Sequence, residues 1–190
     1  MLALAPEELG LDRASLLPGS PDGRFIAMTS YDRRSQVLVV PLPGDHKPFA
    51  FPQSPGATAD ASFSPDAKWM AYSSDESGRP EIYVVPFPGQ KGKWQISTNG
   101  GNRTWWVGHG ENTELLYLDS QSRLVSVPVR THGDQLTTGT AQVLLAGKSL
   151  ANTGCIDITQ DGKRIMLCQP QSNAGTALTL VLNWTAELRK

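Results

Sequence analysis

The chain has little cysteine, histidine or net charge, and each shortage removes a class of function. Two cysteines and three histidines among 190 residues cannot supply a disulfide framework or, by themselves, a four-ligand zinc site. Lys and Arg number 17 against 18 Asp and Glu, a balance that argues against a nucleic-acid phosphate backbone as partner. No stretch approaches the roughly 18 uninterrupted apolar residues of a membrane helix. The opening Met1-Leu2-Ala3-Leu4-Ala5-Pro6-Glu7-Glu8 turns acidic too early for a signal peptide. There is no G-x-G-x-x-G loop, no His-Arg-Asp or Asp-Phe-Gly and no G-x-S-x-G elbow, which excludes kinase and α/β-hydrolase chemistry as motif assignments.

What the chain does have is turns and repeats. Gly 18 and Pro 14 beside only 18% charged residues suit a folded, turn-rich domain better than a disordered tail or a helical bundle. Val37-Leu38-Val39-Val40-Pro41-Leu42-Pro43-Gly44 recurs, shifted by 45, as Ile82-Tyr83-Val84-Val85-Pro86-Phe87-Pro88-Gly89, with weaker copies at Leu124–Val129 and Thr179–Trp184. Ser20-Pro21-Asp22-Gly23 recurs, shifted by 44, as Ser64-Pro65-Asp66-Ala67, and again as Thr159-Gln160-Asp161-Gly162. A period in the mid-forties, with several short strands per unit and no amphipathic run, reads as a β-propeller blade. Asp-Gly between apolar runs predicts a two-residue hairpin turn joining strands a and b. The prolines at 41, 86 and 128 are expected near the ends of strands c, where a missing N–H is least costly.

The fold class is therefore all-β: a propeller of about four blades of four-stranded antiparallel sheets, the last blade incomplete, with residues 1–190 as a single domain. The blades are expected at 14–52, 58–97, 102–146 and 153–184. Their strands a to d are read as 14–17, 24–30, 36–42 and 47–52; 58–63, 68–74, 80–87 and 93–97; 102–107, 114–119, 122–129 and 140–146; then 153–158, 163–168 and 176–184, with a polar end at 185–190. Closure of the ring has two readings. Residues 2–5 supply the missing outer strand of a four-bladed monomer, or the chain is half of a larger propeller whose exposed outer blades drive a homodimer, the reading preferred here.

Phe63-Ser64-Pro65-Asp66, Ala71-Tyr72-Ser73-Ser74-Asp75, Gly78-Arg79-Pro80-Glu81-Ile82-Tyr83-Val84 and Trp94-Gln95-Ile96-Ser97 resemble, in order, the repeat of TolB-like propellers, with Ala67 in place of the turn glycine. Over about residues 20–190 the chain is similar to the C-terminal half of the TolB-like propeller that follows the kinase domain in some bacterial serine/threonine kinases. That similarity includes the closing Val181-Leu182-Asn183-Trp184-Thr185-Ala186. The resemblance implies a sensor or interaction module, since in TolB the propeller docks partner proteins. It implies an extracytoplasmic setting for a membrane-anchored kinase and a cytoplasmic one otherwise. It carries no residue-level binding motif, because repeat residues are turn and core positions.

In a propeller the d–a connections and b–c turns share one mouth of the central channel. Asn102, Arg103, Trp105 and Trp106, with the b–c groups Asp32, Arg33, Arg34, Asp75, Glu76 and Arg79, are therefore the candidate ligand- or partner-binding residues. Trp and Arg are the residues most enriched at binding hot spots. Opposite faces of strand a each meet a neighbouring sheet, so packing between blades is the first reading of both indoles and a ligand surface the second. His46, His109 and His132 are expected in three blade connections, without metal-ligand spacing. Cys155 and Cys168 fall opposite each other across the Asp161-Gly162 turn and are read as two reduced thiols. No cofactor or metal is called for. The leading function is a non-catalytic protein-interaction or ligand-sensing module, with a protein or small ligand at the mouth. The alternative is a hydrolase or lyase using the channel carboxylates Asp60, Asp75 and Glu76.

Overall fold

A computed structural model describes residues 13–32, 34–44, 47–89, 91–147, 150, 155–170 and 176–182. The closing strand expected at 2–5, Arg33, His46 and the polar end at 185–190 lie outside the described residues. The chain folds into successive antiparallel sheets, each a meander with its strands in chain order. The first holds β1 (Ala14–Leu16), β2 (Phe25–Ser30), β3 (Gln36–Pro41) and β4 (Phe49–Ala50). The second holds β5 (Thr58–Phe63), β6 (Trp69–Ser74), β7 (Glu81–Pro86) and β8 (Trp94–Gln95). β9 (Asn102–Val107), β10 (Glu114–Leu118), β11 (Leu124–His132), β12 (Gln135–Thr138) and β13 (Gln142–Leu145) make the third. The fourth has β14 (Cys155–Ile158), β15 (Arg164–Pro170) and β16 (Thr176–Leu182).

The sheets are pressed face to face, as blades are. Val37, Val39, Met70, Tyr72 and Val85 join blades 1 and 2. Trp69, Ile82, Val84, Trp106 and Leu115 join blades 2 and 3. Leu116, Leu124, Ile156, Ile165 and Leu167 join blades 3 and 4. The middle strands β6 and β7 are apolar on both faces because both faces are covered. Blades 2 and 3 also carry directional bonds across their seam. Ser62 and Thr104 hydroxyls lie 2.6 Å apart, Trp106 Nε1–H donates to the Ser62 carbonyl at 3.2 Å, and Ser73 Oγ donates to the Gly101 carbonyl at 3.1 Å.

The a–b turns differ from expectation. A two-residue turn of the favoured mirror-image type needs positive φ at both central residues, yet only Gly23 (φ 69°), Ala67 (φ 56°) and Gly162 (φ 66°) have it, and the aspartates before them do not. Each turn is instead a four-residue loop built on its Ser or Thr. Ser64 Oγ donates to Asp66 at 2.6 Å, Asp66 accepts the Lys68 N–H at 3.1 Å, and the Trp69 N–H returns to Ser64 Oγ at 3.0 Å. Ser20–Asp22 and Thr159–Asp161 repeat the device. Donation from Ser20, then from the Arg24 N–H and guanidinium, lowers the Asp22 carboxyl to about 2. Both loops are centred on the same bond, so the register is unchanged and Cys155 pairs with Cys168 as expected. The reading of reduced thiols is corrected: Cys168 is disulfide-bonded.

Blade 3 departs further. β11 runs on to His132, past the expected end at 129, and after a turn at Gly133-Asp134 pairs with β12, a strand not foreseen. β13 pairs only with Leu124–Ser126, and β12 with Val129–His132. Pro128 thus sits inside a strand, at the change of partner, where its missing N–H breaks neither ladder. His132 ends β11 and does not lie in a blade connection.

Candidate functional site

The b–c turns and d–a connections do share one mouth, and the described charged groups expected there are taken up by neighbouring backbone and side chains. Arg34 donates to the Pro55 carbonyl at 2.7 Å. Asp75 accepts the Ala57 N–H at 2.7 Å, and Glu76 accepts from Ser54 Oγ at 2.9 Å and pairs with Lys93. Gly56 makes this clasp possible, since a Cβ there would lie 2.5 Å from the Asp75 carboxylate. Arg79 bridges Glu81 and the Thr98 carbonyl, and Asp32 accepts the Arg13 N–H at 3.2 Å. Glu81 is buried. Burial raises its carboxyl, and hydrogen bonds from Ser97, the Gly100 N–H and Arg79 more than reverse this, leaving it below its ordinary value.

Inside this clasped rim lies a cavity of about 370 Å³ to which all four inner strands or their immediate continuations contribute. Blade 1 gives Ser15, Leu16, Leu17 and Pro18, blade 2 Asp60 and Ala61, blade 3 Arg103, Thr104 and Trp105, and blade 4 Ile156. Leu16 is 75% exposed there. Asp60 (φ 53°) and Arg103 (φ 52°) both adopt the left-handed conformation. Both also sit where the pairing of their strand shifts by one residue, between Ala59 and Ser62 in blade 2 and between Asn102 and Thr104 in blade 3. A bulge re-aims the side chain it carries, and a non-glycine residue held left-handed costs on the order of 1–3 kcal/mol. The two bulges touch: the Arg103 N–H reaches Asp60 Oδ2 at 3.3 Å, and Thr104 Oγ1 donates to the Asp60 carbonyl at 2.7 Å.

Of the ligand- or partner-binding candidates singled out in the sequence, the structure gathers Arg103 and Trp105 in this cavity. Asn102 is exposed beside them, and Asp32, Arg34, Asp75, Glu76 and Arg79 form the rim around them. Trp106 is buried between blades 2 and 3, while Trp105 is half-buried against the blade 3–4 cluster. Of the three carboxylates of the enzymatic alternative, Asp60 lines the cavity, whereas Asp75 and Glu76 hold the connection at 54–57. Ser15, Leu16 and Ile156 carried no sequence signal as site residues. On the opposite face, a second cavity of about 300 Å³ lies between blades 2 and 3, lined by Asp66, Trp69, Trp106 and His109 among others.

No known protein-family profile matches the chain, and no curated protein sequence does. Solved structures do. TolB from Acinetobacter baumannii superposes with a TM-score of 0.62 at 20% identity over 90% of this chain. A putative TolB from Agrobacterium tumefaciens does so at 0.56 and 19% over 90%. Prolyl oligopeptidase B from Galerina marginata does so at 0.54 and 8% over 92%. The chain has a TolB-like β-propeller fold. It spans 41% and 58% of the two TolB chains and 26% of the peptidase.

Proposed function

We propose that the chain is a non-catalytic recognition module whose channel mouth receives a small ligand or a segment of a partner protein. The observation that carries this is the pair of touching bulges, which spend strain to set Asp60 and Arg103 into one cavity beside a half-buried Trp105. Strained backbone that its surroundings hold in place clusters at binding sites, and the rim bonds keep the cavity open without using either side chain. The fold alone is silent on catalysis, since it is shared by TolB and by a peptidase. What speaks against the carboxylate enzyme is geometry: two of its three acids are engaged at the rim. The finer reading, that the module is the sensor of a bacterial signalling kinase, is supported by the sequence resemblance. A homodimer through the outer blades belongs to the same reading. Light scattering at rising concentration gives twice the chain's mass if it forms and an unchanged single-chain mass if it does not.

The test is selection of displayed random peptides on the immobilised protein, with Arg103→Glu and Trp105→Ala as counter-targets. Peptides whose affinity falls at least about tenfold on both variants support the reading. Selected peptides indifferent to both, or turnover of peptide, ester or glycoside lost on Asp60→Asn, overturn it.

A further inference from the structure

Asp60 and Arg103 bear opposite charges on adjacent inner strands, close enough for the main chain of one to touch the carboxylate of the other. Yet their side chains do not pair. The carboxylate accepts only the Arg103 N–H, and the guanidinium makes no hydrogen bond or ion pair among the described residues. Two half-buried opposite charges that line one cavity without pairing are complementary to a small molecule that carries both charges. Beside Ser15 and Thr104, the rest of the wall is apolar, with Leu16, Leu17, Pro18, Ala61, Ile156 and the Trp105 ring. The volume, about 370 Å³, lies within the range of small-molecule sites.

We infer that the channel binds a free α-amino acid with an apolar side chain, its ammonium on Asp60, its carboxylate on Arg103 and its side chain against Leu16, Ile156 and Trp105. This rests on the recognition reading above and names its ligand class. Charge-assisted bonds to both ends of one small molecule are strong and directional, and Arg suits a carboxylate because its fork matches both oxygens. The main chain of a peptide segment brings neither charge in its interior and only one at each end, whereas a free amino acid carries both on one carbon.

Isothermal titration of the whole chain with leucine, phenylalanine, methionine and valine, each to about 10 mM, tests the inference. N-acetyl-leucine and leucinamide serve as the two single-charge probes. The expected result is binding of at least one amino acid, weakened about tenfold or more by blocking either end. Asp60→Asn should lose the discrimination against N-acetyl-leucine, and Arg103→Gln the discrimination against leucinamide, with both variants melting within a few degrees of the parent. No binding by any of the four, or binding insensitive to blocked ends and to both substitutions, overturns it. If peptide selection meanwhile yields channel-dependent binders, the recognition reading stands and only the ligand class fails. If selection also fails, both fall.

Discussion

Tyr72 lies at the centre of the blade 1–2 interface, fully buried, and its hydroxyl is a buried polar atom with no hydrogen-bond partner among the described residues. In the unfolded chain that hydroxyl is bound by water. Leaving it unpaired in an apolar setting costs about 1–3 kcal/mol. Phenylalanine keeps the ring, its packing volume and the stacking on Tyr83, whose centroid is 5.8 Å away at 29°. Tyr72→Phe is therefore expected to stabilise the protein by about 1–2 kcal/mol, or about 2–4 °C in Tm per kcal/mol for a chain of this length. Burial, then the charges of Glu76 and Tyr83, push the Tyr72 hydroxyl above its ordinary value of 10.0. Above that pH the unfolded chain loses the proton first, so stability is full below it and falls as pH rises toward the folded value. One such tyrosine steepens the alkaline limb by up to about 1.4 kcal/mol per pH unit. Urea titrations at neutral and alkaline pH check both effects. The variant's midpoint should rise at constant m-value, and its alkaline limb should be shallower. A loss of more than about 0.5 kcal/mol at neutral pH would show that the hydroxyl has a partner and refute the reasoning.

Glu81 and Asp119 are held below their ordinary values of 4.5 and 3.8, so each contributes stability that is present above those values and lost as pH falls through the folded ones. Glu81→Gln should cost about 1–3 kcal/mol at neutral pH and flatten the acid limb of a urea-midpoint profile. Trp106→Phe removes a seam hydrogen bond and core volume and should cost about 1–3 kcal/mol by denaturant titration. Trp105→Phe, at a half-buried site, should stay within about 0.5 kcal/mol. Ala67→Gly relieves a left-handed alanine and should raise stability by about 0.5–1 kcal/mol, read as a rise in Tm.

The order of strands and turns was legible because the same two devices, the Ser/Thr-x-Asp turn and the apolar strand ending in Pro, recur at a fixed interval. Repetition turned weak local signals into a register. That register then placed Cys155 against Cys168 without needing the turn type to be right. The β11–β12 hairpin was hidden because Arg130-Thr131-His132-Gly133-Asp134 is polar and exposed on both faces, and a solvated hairpin has the composition of a connection. The bulges were hidden for another reason. One inserted residue leaves the apolar pattern nearly intact, and neither Asp60 nor Arg103 announces a positive φ as glycine does. The rim residues were seen, but sequence could not show that the described ones would be taken up by backbone and side-chain partners on neighbouring segments. The candidate site thus came into view at Asp60, Arg103 and Trp105, and Leu16 and Ile156 in its apolar wall did not.

Apolar faces resist being pulled apart far better than they resist sliding, because dispersion contacts are nearly indifferent to a small lateral shift. The hydroxyl, indole and carbonyl bonds between blades 2 and 3 act as pins against that shear. They fix how far one sheet is rotated past the next about the channel axis, and with it the distance between the inner strands that carry Asp60 and Arg103. Any change at this seam, even one that leaves the hydrophobic packing whole, should therefore be felt at the channel as a change in its bore.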